Sequence, residues 1–266
     1  MSLELAPSGR PFVAVSDVHL FPGGKPHPGR ESFLSFLGEL AQAGPGELWI
    51  AGDLFDFWHE KHGAPRGFER ILSALAAVSE AGWSLTFLPG NHDGWVGGAF
   101  SAATGARVLG RGPVEAEVEG RRVLLAHGDG LGGGDWGYRL FLGPILRSRA
   151  AGILFRALPV AVGETLAGLM SGTSRRILRR QSDCIPAHLS AWADGMLRSG
   201  IDIVVTGHTH VAGTRLSGRG IHISLGDWLG DFHYASSDPS LGLRLVRYEA
   251  PGPASAGPLV DPGAAG

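Results

Sequence analysis

The 266-residue sequence predicts an α/β fold of two packed sheets with helices outside them. Three observations support this prediction. In the first half, short apolar runs alternate with helical patterns, which is typical of a parallel sheet. From Arg107 onward, apolar and polar residues alternate singly, which is typical of half-buried antiparallel strands. A third region, about 136–197, is apolar with helical spacing, and we interpret it as an insertion.

Three buried strands are predicted in the first half, from the apolar runs 12–16, 47–51 and 83–88. Between them, apolar residues recur every three or four positions, which predicts amphipathic helices around 33–40 and 68–78. Sites in open α/β sheets form beyond the carboxyl ends of strands. Polar residues that follow the three runs are therefore candidates for function.

The second half predicts further strands. Apolar and glutamate residues alternate over 114–118, the turn Glu119-Gly120 follows, and residues 121–126 return as a second strand. More strands are expected at 202–206, near Thr214, at 221–225 and at 243–248. We expect one domain over 1–249 and a disordered tail over 250–266, which is rich in proline, glycine and alanine.

Composition excludes several classes of protein. A formal net charge of −2 argues against a nucleic-acid partner, which usually requires a broad basic surface. The single cysteine, Cys184, excludes an internal disulfide. Residues 1–10 lack the apolar core of a secretory signal, and the apolar segment 153–170 is interrupted by charges and proline. We expect a cytoplasmic protein, with peripheral contact at the inner membrane face left open.

Side chains that bind metal ions follow the predicted strands in five short motifs. Aspartate, asparagine and histidine supply the oxygen and nitrogen ligands used by sites that hydrolyse phosphate esters. The motifs are Asp17-Val18-His19, Gly52-Asp53, Gly90-Asn91-His92-Asp93, His127-Gly128 and Gly207-His208-Thr209-His210.

Seven of these residues are enough for two metal ions that share one carboxylate. Asp53 is the expected bridge, because one carboxylate can contact two ions. The first set is Asp17, His19, Asp53 and His210, and the second is Asp53, Asn91, His127 and His208. Taken singly, each is as well explained by a turn or structural role, so the hypothesis depends on their joint order. We expect two divalent ions, manganese first, with iron and zinc as alternatives.

His92 has no place in either ligand set. We assign it the role of general acid that protonates the leaving oxygen, with Asp93 orienting its ring. The alternative is a hydrogen bond that anchors the loop.

This order of motifs resembles the calcineurin-like metallophosphoesterase family, over Asp17 to His210. The resemblance implies a two-sheet metallophosphoesterase sandwich flanked by helices, in which hydroxide held at the metals attacks phosphorus in line. It also implies an enzyme, a metal-dependent hydrolase of phosphoric esters or anhydrides.

Finer features resemble the UDP-2,3-diacylglucosamine pyrophosphatase branch of that family. These are residues 16–20, 52–58 and 225–228, and the His127-Gly128-Asp129 motif with Asp135 and Tyr138 beyond it. The resemblance implies cleavage of UDP-2,3-diacylglucosamine to UMP and a lipid monophosphate in lipid A synthesis, with Asp135 and Tyr138 near the substrate. Well-known members of the branch carry arginine at the position of His92, and threonine and cysteine at those of Gly130 and Gly132.

The predicted insertion fits an acylated substrate. Its apolar surface would bury acyl chains, and its arginines, Arg175 and Arg179 among them, would meet a diphosphate or an anionic bilayer. An amphipathic cap with a solvated arginine face explains the same pattern equally well.

Two other functions are consistent with the sequence. One is a phosphodiesterase that acts on another small nucleotide or phosphodiester with the same metals. The other is a non-catalytic protein-interaction scaffold, which we would expect to have lost some of the ligands or His92.

Overall fold

The computed structural model describes residues 10–22, 26–60, 63–133, 184–238 and 240–250. Within these residues, eleven strands form two sheets of six and five strands. The predicted α/β architecture of two sheets with helices outside is confirmed. Residues 134–183, which contain most of the predicted insertion, and 251–266 of the predicted tail lie outside the described residues.

The first sheet has the order β11-β10-β1-β2-β3-β4. Strands β1 to β4 run parallel, so their carboxyl ends meet at one edge of the sheet. The strands are β1 (Phe12–Val15), β2 (Glu47–Ala51), β3 (Ser84–Leu88), β4 (Arg107–Val108), β10 (His233–Asp238) and β11 (Gly242–Arg247).

The second sheet has the order β5-β6-β7-β9-β8, and β6, β7 and β9 run parallel. The strands are β5 (Val114–Val118), β6 (Arg121–Ala126), β7 (Ile203–Thr206), β8 (Ala212–Ser217) and β9 (Gly220–Leu225). The helices described are α1 (Arg30–Gln42), α2 (Glu69–Glu80), α3 (Gly98–Thr104) and α4 (Ala187–Arg198).

Alternate residues of the strands face opposite sides of each sheet. Phe12 and Ala14 of β1 face the second sheet, where Val205 of β7 lies in the same apolar cluster. Val13 and Val15 face α1 and α2 on the other side. Helix α4 covers the outer face of the second sheet. This four-layer arrangement follows from the period of two along each strand.

Strand β4, strand β10 and helix α3 were not predicted, and the last two show why. Strand β10 has the sequence His-Tyr-Ala-Ser-Ser-Asp, which lacks an apolar run, and it forms because it pairs with β1 and β11. Helix α3 is seven residues long and lies within a region of glycine and alanine. Glu60 accepts hydrogen bonds from three backbone N–H groups of its first turn, including that of Gly97 at 2.8 Å. Both elements depend on partners that are distant in sequence.

No helix in the described parts of the chain is long and apolar enough to cross a membrane.

Candidate metal centre

The five motifs meet where the carboxyl ends of the two parallel strand sets face each other. Their ligand atoms form three groups in which all atoms lie within 4.8 Å of one another. The groups are Asp17, His19 and His210; His19, Asp53 and His92; and Asp53, His127 and His208. Asn91 joins the third group, because its Oδ1 lies 3.0 Å from Nε2 of His127. All seven predicted ligands therefore converge.

The backbone at these residues is strained. Five of them have left-handed φ angles between 53° and 70°: Asp17, His19, Asp53, His208 and His210. Left-handed backbone costs energy for every residue except glycine, although aspartate and histidine adopt it more often than most. It persists where the surrounding structure imposes it. His208 and His210 are two residues apart, a spacing that would place both side chains on one side of an extended strand. The left-handed backbone at both residues shows that they lie in turns instead.

Two glycines make room for the carboxylates. A Cβ atom at Gly90 would overlap Oδ1 of Asp53, and one at Gly207 would overlap Oγ of Ser16 and lie 2.5 Å from Oδ2 of Asp17. The second contact joins the β7 loop to the β1 loop, and therefore one sheet to the other. Glycine is needed at both positions because the backbone approaches the acids so closely.

Asp53 lies between the two halves of the cluster. Its Oδ2 is 3.2 Å from Nε2 of His127 and 3.8 Å from Nε2 of His19. Its Oδ1 accepts a hydrogen bond from the backbone N–H of His92 at 2.9 Å. One carboxylate oxygen thus faces both groups of histidines, while the other anchors the loop that carries Asn91 and His92.

The imidazoles of His127 and His210 are held through hydrogen bonds at Nδ1, which leaves Nε2 facing the centre. Nδ1 of His127 donates to the carbonyl of Ala51 at 2.9 Å, and Nδ1 of His210 lies 3.1 Å from the carboxylate of Asp227. Nδ1 of His19 is 3.7 Å from Asp56. A bond at Nδ1 fixes the tautomer and aims Nε2, as second partners of metal-binding histidines do.

Charges in the cluster shift its pKa values strongly. Burial would raise the pKa of Asp17, but the nearby imidazoles of His19, His127 and His210 lower it to about 2. Burial would lower the pKa of His19, but Asp17, Asp56 and Asp53 raise it to about 10. In the same way, Asp53 outweighs burial and raises the pKa of His127 well above its usual value. The metal-free centre therefore holds protons that a bound cation would displace.

The donor set fits divalent metal ions. Carboxylate oxygens, one amide oxygen and imidazole nitrogens suit manganese, iron and zinc. Oδ1 of Asp17 and Nδ1 of His19 are buried without a hydrogen-bond partner in the described parts of the chain. Oδ1 of Asp17 lies 3.6 Å from Nε2 of His19 and 3.7 Å from Nε2 of His210. A cation bound by these three atoms would give the buried oxygen a partner.

Asp93 does not orient the ring of His92, and that prediction is wrong. The Asp93 carboxylate is buried and accepts hydrogen bonds from the backbone N–H groups of Gly90, Asp53 and Phe55 at 2.9–3.3 Å. Burial and the charge of Asp53 raise its pKa to about 7. Its role is to hold two strand-end loops together, because its oxygens are used by backbone groups.

The ring of His92 is held instead by the backbone of Asp56, whose carbonyl accepts from Nδ1 at 2.9 Å. This is the loop-anchoring hydrogen bond considered as the alternative role for His92. It also leaves Nε2 free toward His19, whose ring centroid is 4.8 Å away. The contact is compatible with either role.

Two carboxylates at the centre were missed as site residues. Asp227 follows β9 and holds His210, while Asp56 follows Asp53 by three residues and faces His19. The position of Asp227 after a strand end was a signal available in the sequence. Asp135, Tyr138, Arg175 and Arg179, predicted to bind substrate, lie outside the described residues.

Comparison with known proteins gives consistent matches. The family model of the calcineurin-like phosphoesterases matches residues 10–212. A UDP-2,3-diacylglucosamine hydrolase of Aeromonas hydrophila is 35% identical over 196 residues, which cover 71% of this chain and 80% of that protein. The enzyme of the same name from Pseudomonas fluorescens is 32% identical over 225 residues, which cover 82% of this chain and 87% of that protein.

Among solved structures, an archaeal phosphodiesterase aligns with 90% of this chain and 99% of its own, at a TM-score of 0.47 and 10% identity. The sequence matches are thus the stronger guide to the family.

Proposed function

The chain belongs to the calcineurin-like phosphoesterase family of metal-dependent hydrolases, and we propose that it hydrolyses the diphosphate of UDP-2,3-diacylglucosamine. The products would be UMP and a lipid monophosphate. The observation that carries the proposal is the convergence of seven oxygen and nitrogen ligands around Asp53. The names of relatives that cover most of this chain support the choice of substrate.

Each half of the centre would hold one divalent ion. Asp17, His19 and His210 form one half and Asn91, His127 and His208 the other, with Asp53 shared. We propose manganese, with iron and zinc as alternatives that suit the same donors. Two such ions supply an activated water and offset the charge of the phosphate.

The residues of the chain then orient the reaction. Hydrogen bonds at Nδ1 of His127 and His210 keep both rings in place, and the Asp93 carboxylate fixes the loops of Asp53 and Asn91. Preorganised groups of this kind reduce the cost of reaching the transition state, because little reorganisation remains.

His92 is our candidate for the general acid. Its backbone N–H is bound to Asp53 and its Nδ1 to the carbonyl of Asp56, so Nε2 is the atom that can give a proton to the leaving oxygen. Burial lowers the pKa of His92. A general acid matters most for leaving groups that cannot depart as anions.

We place the enzyme in the cytoplasm, at the inner face of the membrane, because the proposed substrate carries two acyl chains and would reside in a bilayer.

Turnover of UDP-2,3-diacylglucosamine by the manganese-loaded protein, followed by phosphorus NMR, tests the proposal. We expect UMP and the lipid monophosphate as products. Hydrolysis of bis-p-nitrophenyl phosphate without cleavage of the lipid nucleotide would keep the metal-dependent hydrolase and exclude this substrate. Activity on neither, with no bound metal, would indicate a scaffold.

A phosphodiesterase for another small nucleotide is the second candidate. Three residues favour it, because they differ from those in the UDP-2,3-diacylglucosamine pyrophosphatase branch that the sequence resembles. They are His92, Gly130 and Gly132. The same NMR assay with a panel of uridine and adenosine nucleotides distinguishes the two.

A further inference from the structure

Arg111 forms no ion pair with any residue that the structure describes. It follows β4 and is half-buried. Its Nη1 is buried and has no hydrogen-bond partner among the residues that the structure describes. Arg215, another arginine with a buried nitrogen lacking a partner, is by contrast paired with Asp194. A desolvated guanidinium is unfavourable unless an anion pairs with it.

The position of Arg111 is set by the end of β3. The backbone N–H of Leu109 donates to the carbonyl of Phe87 at 2.9 Å, which keeps the chain after β4 beside the last residues of β3. The next segment after β3 is the loop of Asn91 and His92. Arg111 is therefore held next to that loop by backbone pairing.

Arg111 contacts this loop at Gly94. A Cβ atom at Gly94 would overlap Nη2 of Arg111 and lie 2.8 Å from its Nε. The guanidinium thus fills the space that a side chain at position 94 would occupy, two residues from His92. Two residues span at most about 7 Å along the chain, so the guanidinium lies near the backbone of the loop that carries the candidate acid.

Asp93, the carboxylate next to Gly94 in sequence, does not neutralise Arg111, and Glu115, four residues after Arg111, pairs with Arg122. Asp93 directs its oxygens to the backbone N–H groups of Gly90, Asp53 and Phe55. The anion that Arg111 can bind must then come from outside the described residues. A planar guanidinium suits a phosphate, which it can bind with two parallel hydrogen bonds.

We propose that Arg111 binds the departing phosphate of a diphosphate ester and makes the site selective for diphosphates over simple phosphodiesters. The inference rests on the proposed function, in which His92 lies on the side of the leaving group. In the hydrolysis, the oxygen of water bonds to one phosphorus and the bond from that phosphorus to the bridging oxygen breaks. The bridging oxygen keeps the electron pair, takes a proton from His92 and leaves on the second phosphate. The proton released by water passes to solvent, and solvent returns a proton to His92.

Arg111 would stabilise the negative charge that develops on that second phosphate. A p-nitrophenolate leaving group has no such phosphate, so the same guanidinium has less to bind. The proposed selectivity requires that the leaving group lies on the side of the centre where the His92 loop contacts Arg111.

Arg111→Gln tests the proposal against Arg107→Gln, an exposed arginine of the same segment. We expect kcat/KM for UDP-2,3-diacylglucosamine to fall roughly 10- to 100-fold in Arg111→Gln, and to fall at least about tenfold less for bis-p-nitrophenyl phosphate. Arg107→Gln should change neither. Gly94→Ala, whose Cβ displaces the guanidinium, should reproduce the change in selectivity.

A binding measurement gives a readout that does not depend on turnover. Calorimetry should show that Arg111→Gln weakens uridine 5′-(α,β-methylene)diphosphate about tenfold more than it weakens UMP. Equal effects on both ligands, or on both substrates, would overturn the role of Arg111. Failure of the wild-type protein to hydrolyse either ester would instead refute the proposed function, and the calorimetric comparison would still decide the role of Arg111.

Discussion

His127 and His222 are both buried in the second sheet, yet their surroundings shift their pKa values in opposite directions. His127 follows the end of β6 and faces Asp53, which raises its pKa well above the usual value despite burial. His222 lies within β9, where burial lowers its pKa to about 4. Its Nε2 bonds to Thr206 at 3.0 Å, and its Nδ1 has no partner among the described residues.

The difference shows that carboxylates, and not burial, prepare the histidines of the centre to bind cations. Inside a strand, an imidazole is neutral because desolvation disfavours its charge. At the strand ends, turns bring Asp17 and Asp53 within 4 Å of several imidazoles. The carboxylate charges that raise the pKa of these imidazoles would also attract a divalent ion, which would displace the protons.

Replacing the shared carboxylate is the most damaging change that we predict. Asp53→Ala should remove both ions and reduce turnover by roughly a thousandfold or more, because both halves lose a ligand. In the metal-free protein it should also bring the pKa of His127 down toward that of His222. Metal analysis and NMR titration measure the two effects.

Asp231→Ala is a suitable control, because Asp231 is exposed and outside the centre. A variant at Asp53 that still held two ions would show that the bridge lies elsewhere.

His92→Ala distinguishes a role of His92 as proton donor from a role as metal ligand. Both ions should remain, while hydrolysis of a diester with an alkyl leaving group should slow roughly a hundredfold and that of bis-p-nitrophenyl phosphate much less. Parallel metal analysis and kinetics on the two substrates provide the measurement. Loss of an ion would make His92 a ligand, and equal losses on both substrates would rule it out as an acid.

Asp227→Asn tests whether the two halves of the centre bind their ions independently. His210 is backed by this carboxylate, whereas His127 is backed by the carbonyl of Ala51. We expect the affinity for one ion to fall roughly 10- to 100-fold while the other ion is retained. Competition with a chelator follows the two ions separately. Equal weakening of both would mean that the halves are not independent.

The smallest effect that we predict is on the pH dependence of the free energy of unfolding, and it comes from His222. Its pKa is about 4 when folded and 6.5 when unfolded, so the unfolded state binds the proton more readily and stability is lost as pH falls between these values. From about pH 7 to about pH 5 the loss from this residue is about 2 kcal/mol. Urea unfolding of metal-free protein should show this loss reduced in His222→Gln and unchanged in His188→Gln. An unaltered pH dependence in His222→Gln would contradict the shift.

Much of the fold was predictable from local pattern. The apolar runs around 12–16, 47–51 and 83–88 became β1 to β3, and the three- and four-residue spacing became α1 and α2. Strand β10 was not predictable in this way, because its polar sequence is held by pairing with β1. Pairing between distant segments leaves little trace in either segment alone.

The candidate site follows the same division. Its seven candidate ligands were predicted from the sequence because each follows a strand end within a short motif, and the structure brings these residues together. Asp93 was assigned the wrong contact, and Asp56 and Asp227 were missed as partners of His19 and His210. Which atom a carboxylate meets depends on the turn around it, and five ligand positions adopt left-handed backbone that spacing does not reveal.

The sequence by itself determined the fold class, the order of the motifs and the residue types available to a metal, because periodicity and composition are local properties. The tertiary structure decided the rest. It set which Asp53 oxygen faces both histidine groups, which partner holds each imidazole and which charges shift each pKa. These depend on distances of a few ångströms between loops from two sheets, and only the packing of the sheets sets those distances.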